Sequence, residues 1–178
     1  FGRPKAELHL HLEGTPEPDL KLALARKNGV DIGQSTVEEV RATYRFNDLT
    51  SFLAVYYPAM DVLQDEDDFH DLAAAYFERA RANGVVRAEC FFDPQAHTSR
   101  GIAIETVIRG YHRAVVEARE AGLSADLILC FLRDMSAESA LETLQAALPY
   151  KDMFIGVGLD SDERDNPPTK FAEVFALA

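Results

Sequence analysis

Between residues 6 and 12, apolar and polar residues alternate: Ala, Glu, Leu, His, Leu, His, Leu. A period of two predicts a strand, with successive side chains on opposite faces. The alternation puts Glu7, His9 and His11 on one face and Leu8, Leu10 and Leu12 on the other. Glu13 extends the polar face up to Gly14. Three further apolar runs predict strands over residues 85–92, 126–132 and 154–159. Between the strands the pattern takes the longer period of amphipathic helices. Thr15 is placed to cap a helix reaching Asn28, with Pro16 in its first turn and Gly29 as its stop. A second helix should begin after Ser35, where Ser35-x-x-Glu38 and Thr36-x-x-Glu39 both fit a capping box. The run over 49–63 contains Pro58, which should kink or split it. Long helices are expected over 65–83, ended by Gly84, and over 104–121, ended by Gly122. Another covers 136–148, and a last one starts near Pro167 or Pro168 and is still running at Ala178.

Strands alternating with helices mean βαβ units and a parallel sheet. Only the first crossover is long. No G-x-G-x-x-G turn follows any strand, which counts against a dinucleotide-binding doubly wound sheet. Each strand runs out into an acid: Glu13, then Asp93 in "FFDP", Asp134 in "FLRD", and Asp160 and Asp162 in "GLDSDE". Aspartate favours turns and caps on its own account. Acids after every strand, together with paired histidines, favour a polar cleft where strands hand over to loops, as in (β/α)₈ barrels. Such a barrel needs eight strands and about 250 residues. The expected architecture is therefore α/β, the N-terminal half of a (β/α)₈ barrel: about four βα units, with extra helices in the first crossover. Residues 1–178 then form a partial barrel domain whose other half lies outside this sequence.

Composition narrows the partners. The 178 residues are 47% hydrophobic and 27% charged, with a net charge of −12 and a pI near 4.8. Nucleic acid or an acidic membrane surface would call for a basic patch, so neither is expected as a partner. A small, weakly charged substrate suits the balance. The acidic run "DEDD" at 65–68 reads as a solvated helix start. Cys90 and Cys130 lie apart in apolar runs, so both should be buried and reduced. With no apolar run of transmembrane length and no visible signal peptide, a cytoplasmic setting is expected. Oligomeric state is not legible in the sequence.

His9 and His11 are the candidate chemistry. A lone His-x-His more often lies on a solvated strand face. At a strand end, however, two imidazoles on one face can reach a single cation of the zinc, iron, copper or nickel class. His97, in the "DPQAHT" loop, reads as a loop-stabilising hydrogen-bonder, with a place at the pocket mouth as the alternative. His70 and His112 read as surface or packing residues on helices.

Three stretches carry a resemblance. "PKAELHLHLEGT" (4–15) resembles the first-strand motif of the adenosine and adenine deaminases, within the metal-dependent amidohydrolases. "FIGVGLDSDERDNPPTKF" (154–171) resembles their fourth-strand motif. "ECFFDPQAHTSRGI" (89–102) is similar to the second-strand signature of the adenine deaminase branch. The resemblance implies a (β/α)₈ barrel with one catalytic Zn²⁺ and hydrolytic deamination of a small purine. His9 and His11 match the first two zinc ligands. Glu13 matches an acidic position that, as aspartate in adenosine deaminases, meets ribose, and Gly14 matches the glycine beside it. Ser161 matches a position, usually glycine, whose backbone N–H approaches the purine. The third ligand histidine, the general-acid glutamate, the second catalytic histidine and a metal-binding aspartate belong to later strands of the family and are absent from this sequence. The chemistry fits: water attacks a purine carbon only once a metal has lowered its pKa, from about 15.7 towards 7. The unrelated deaminases with His-x-Glu and Pro-Cys-x-x-Cys motifs are excluded, since neither motif occurs.

The resemblance implies conversion of adenine to hypoxanthine and ammonia, a purine-salvage step. The alternative is an adenosine deaminase giving inosine. More distant are an amidohydrolase acting on another ring and a non-catalytic barrel relative serving as a binding module.

Overall fold

Four strands, β1 (Lys5–His11), β2 (Val85–Phe92), β3 (Ser124–Leu132) and β4 (Gly156–Asp160), pair in parallel in the order β1-β2-β3-β4. This is a computed structural model that describes residues 3–178, except the side chains of residues 49–51 and 54. After β1 come a 3₁₀ turn (Leu12–Gly14) and the helices α1 (Pro18–Asn28), α2 (Val37–Ala42), α3 (Leu49–Ala59) and α4 (Glu66–Ala82). α5 (Pro94–Thr98) and α6 (Ile104–Glu120) follow β2, α7 (Ala137–Ala147) follows β3, and α8 (Ala172–Leu177) follows β4. The strands therefore lie within a residue or two of the ranges their apolar runs predict. Four βα units with a long first crossover make up half of a (β/α)₈ barrel.

The helices pack on one face of the sheet. There Ala88, Cys90 and Phe92 of β2 and Leu127, Leu129 and Phe131 of β3 meet Phe69 and Leu72 of α4 and Ile108, Tyr111 and Val115 of α6, all at most 1% exposed. α4 and α6 cross closely at Gly110, where an added Cβ would stand 2.5 Å from the Glu66 carbonyl oxygen. The other face is the concave one. At its N-terminal end Arg87 pairs with Glu89 at 2.7 Å and with Asp126, which also binds Arg119.

Two local expectations on β1 fail. The β1–β2 register shifts between Glu7 and Leu10, a bulge-like irregularity that breaks strict alternation. Glu7 consequently accepts a 2.7 Å hydrogen bond from the Tyr76 hydroxyl on α4, on the helix side, while the rings of His9 and His11 lie against Phe91. Leu8 is 54% exposed, whereas Leu12 is fully buried. Glu7 thus does not share a face with the histidines, nor does Leu8 share one with Leu12.

Helix ends differ in places. Thr15 does not cap α1; its hydroxyl donates to the Leu12 carbonyl at 2.7 Å, and Glu17 stands at the N-cap. Pro18, with its φ already helical, fits the first turn, so the helix starts there. Of the two capping boxes possible in the sequence, Thr36 with Glu39 forms. Pro58 lies inside the last turn of α3, which runs on to Ala59 before a 3₁₀ turn (Met60–Val62). The segment 94–98, expected as loop, is helix α5. The acidic run at 65–68 is not simply solvated: Asp65 caps α4, and Asp68 is fully buried, accepting bonds from Lys27, Asn28 and the Gln64 N–H.

Candidate active site

β1 ends at His11 and turns at once into the Leu12–Gly14 turn, so His9, His11 and Glu13 leave the strand within five residues. The rings of His9 and His11 are 5.5 Å apart between centroids. Two imidazoles on one tetrahedral zinc hold their centroids about 5 Å apart, so the pair is nearly preset for a shared ion. His11 Nδ1 lies 3.1 Å from Asp160 Oδ2 at the end of β4. Among the described residues, His11, Asp93 and Asp160 form one cluster whose ligand atoms lie within 4.8 Å of one another. Imidazole and carboxylate donors of this kind suit zinc and its neighbours in the first row.

The acids separate into two groups. Glu13, Asp93 and Asp160 converge; Asp134 is exposed, and Asp162 accepts a 3.0 Å bond from the Arg164 N–H, a local turn contact. Asp93 Oδ1, Asp160 Oδ1 and Glu13 Oε2 are buried without a hydrogen-bond partner among the described residues. Burial, reinforced by Glu13 and Asp160, holds the Asp93 carboxyl well above the usual carboxylate range. Buried acceptors without donors are costly unless something else meets them. A cation and a ligand carrying N–H groups are what such a cluster lacks.

Glu13 is 2% exposed. Its Oε1 accepts from the Asp93 N–H at 3.1 Å and from His97 Nε2 at 3.2 Å. His97 does make a hydrogen bond, but to the site carboxylate Glu13 rather than within a loop, and from a fully buried position on a helix. Gly14 leaves room for Tyr56, since a Cβ would come within 3.2 Å of its ring. The Tyr56 hydroxyl is buried without a partner among the described residues, and burial, then Asp93, Glu13 and Asp160, push it well above its ordinary range. Tyr56 belongs to the site, yet its sequence context in an apolar helix gave no sign of that. Glu13, Gly14 and Tyr56 also line a groove of about 700 Å³ that continues between β1 and α1–α4. Ser161 follows β4 with φ of 73°, and its buried hydroxyl lies against the Tyr57 hydroxyl. That left-handed backbone is the physical reason a glycine would suit the position. His70 bridges Asp71 and Glu117, each at 2.9 Å, on the surface between α4 and α6.

A family model described as adenosine deaminase matches residues 4–178. An adenine deaminase of Geotalea uraniireducens is 58% identical over 174 residues, 97% of this chain and 49% of that protein. The crystal structure of adenine deaminase from Arthrobacter aurescens superposes with a TM-score of 0.96 at 50% identity, over 99% of this chain and 54% of that one. An amidohydrolase from Burkhoderia ambifaria, solved with bound Zn, gives 0.82 at 30% identity over 98% of this chain and 49% of that one. The chain spans about half the length of the curated relatives it matches. With its histidine pair, its converging acids and a match from residue 4 to residue 178, the chain belongs to the adenosine deaminase family.

Proposed function

We propose that the protein is a zinc-dependent aminohydrolase converting adenine to hypoxanthine and ammonia, and that residues 1–178 supply one half of its barrel domain. The observation that carries this reading is Glu13: a buried carboxylate two residues beyond His11, whose Oε1 takes the Asp93 N–H and His97 while Oε2 lies outside both bonds. Supporting it, the relatives that match over nearly the whole chain are named adenine deaminases.

His9 and His11 would hold the zinc, with Asp160 against His11 Nδ1. When bound, the ion lowers the pKa of water so that it can attack at neutral pH. The chain's own residues select the substrate. Glu13 Oε2 can only accept, and the free base offers an N–H at the edge that carries ribose in adenosine. A nucleoside lacks that donor and leaves the buried carboxylate unmet. A hydrogen bond to a charged group is worth about 1.5–3 kcal/mol, roughly tenfold to a hundredfold in selectivity. Gly14 and Ser161 would border the bound base, Ser161 through its backbone N–H. Two buried free cysteines suit a cytoplasmic setting, and among the described residues no helix is long and apolar enough to cross a membrane.

The test is steady-state kinetics of the zinc-loaded complete gene product on adenine and adenosine, with Glu13→Asp alongside. kcat/KM should favour adenine, and Glu13→Asp should narrow the gap. Equal or better turnover of adenosine by the wild type would overturn the assignment in favour of adenosine deamination to inosine.

A further inference from the structure

We propose that His97 and Arg100 are a buried positioning pair that fixes the orientation of Glu13, so that α5 sets how tightly the site takes a substrate bearing an N–H. This rests on the reading of Glu13 as a substrate contact. Glu13 and His97 side chains are both 0% exposed and meet at 3.2 Å through Oε1 and Nε2. Arg100 Nη2 lies 3.0 Å from His97 Nδ1. A guanidinium can only donate, so Nδ1 must accept. The ring proton then sits on Nε2 and is donated to Glu13. Two anchors hold the pair in place. Arg100 Nη2 also lies against the carbonyls of Met60, at 3.1 Å, and Leu63, so its two N–H groups are shared among three acceptors and tie the end of α5 to the turn after α3. The ring of Phe69 stands edge-on to the imidazole, with centroids 4.8 Å apart and planes at 87°.

The interposed imidazole has a chemical purpose. An arginine placed directly on Glu13 would fork across both carboxylate oxygens. His97 passes a single hydrogen bond to Oε1, which also receives the Asp93 N–H at 3.1 Å. Both fixed donors therefore converge on one oxygen. Oε2 takes neither of these donors, and the buried Tyr111 hydroxyl is the other protein group that stands against this carboxylate. Substrate orientation is thereby decided from a residue 84 positions along the chain that need not touch the substrate.

The proposal is tested in the zinc-loaded complete gene product with His97→Leu, His97→Gln and Arg100→Met. Glutamine keeps a donor near the place of Nε2; leucine does not. His97→Leu should raise KM for adenine about tenfold to a hundredfold, with kcat changed by less than about threefold and zinc content unchanged. His97→Gln should restore most of the KM, and Arg100→Met should fall between. A loss confined to kcat, or equal losses in the leucine and glutamine variants, would overturn the positioning role. An activity-independent measurement covers variants that fail to fold: ¹⁵N NMR of the wild-type imidazoles should show His97 as the neutral Nε2–H tautomer. An Nδ1–H or doubly protonated ring would refute the pairing. A wild-type protein inert towards adenine but with the Nε2–H tautomer would overturn the functional reading alone.

Discussion

His11 Nδ1 and Asp160 Oδ2 lie 3.1 Å apart although they belong to β1 and β4, the two outer strands of the sheet. In a flat sheet, three strand spacings would separate those backbones by about 14 Å. The contact requires the sheet to curl, and the curl is what delivers a β4 carboxylate to a β1 histidine. A metal-binding histidine commonly gives its second nitrogen to such a carboxylate, which fixes the ring and its tautomer. His9→Ala and His11→Ala should each remove most of the zinc and nearly all activity, and Asp160→Asn should weaken zinc binding about tenfold to a hundredfold. Metal analysis and titration calorimetry on the complete gene product would check this. Normal zinc content in both alanine variants would end the assignment.

The α4–α6 crossing is the point where the helical layer tolerates least. At Gly110 a methyl group would stand 2.5 Å from the Glu66 oxygen and 2.7 Å from Phe69 Cβ. Both neighbours belong to a packed helix, so neither can swing aside. Gly110→Ala should cost at least about 1–3 kcal/mol despite the better helix propensity of alanine. Urea denaturation would read the loss as a lower midpoint; an unchanged midpoint would contradict the packing argument.

Lys27 joins α1 to the start of α4 through Asp65, at 3.0 Å, and Asp68, at 2.7 Å. Slight burial pushes the Asp65 carboxyl up, but the Lys27 and Asp68 N–H hydrogen bonds outweigh it and hold the group below the usual range. With the folded pKa below the unfolded value of about 3.9, the contribution to stability is complete above that pH. It is lost as pH falls through the folded value. Lys27→Met should lower stability at neutral pH and flatten its acid limb below about pH 4. Urea melts between pH 7 and 3 would show this, and profiles that stay parallel would refute it.

β1 and β4 each have one strand neighbour, and Leu8 and Ile155 are 54% and 56% exposed. Unpaired strand edges beside exposed apolar side chains promote association. Expressed by themselves, the 178 residues should self-associate and show no deaminase activity. Size-exclusion chromatography with light scattering and an ammonia-release assay would decide; a soluble monomer with a cooperative melt would count against the expectation.

The strands and most helix ends were legible because period and capping chemistry are local. Asp65 and Ser136 stand at N-caps where the sequence places the starts of those helices. The burial of Asp68 was not legible, because its partners Lys27 and Asn28 lie about 40 residues away. The site was half legible. Acids after every strand pointed to the right end of the sheet, but only curvature separates Glu13, Asp93 and Asp160 from the exposed Asp134. His97 was readable as a hydrogen-bonder but not as the partner of Glu13, since that pairing depends on the pitch of the short helix α5.

The irregularity between Glu7 and Leu10 gives β1 two phases in a single strand. Its first half addresses the helices through Glu7 and Tyr76; its second half addresses the concave side through His9 and His11. The extra residue acts as a spacer that lets the two halves be read separately. Removing one residue there would force Glu7 and the histidines into one phase. Either the histidines would turn into the helical layer, or Glu7 would lose Tyr76 and enter the concave face. The strand's function therefore depends on its residue count as much as on its composition.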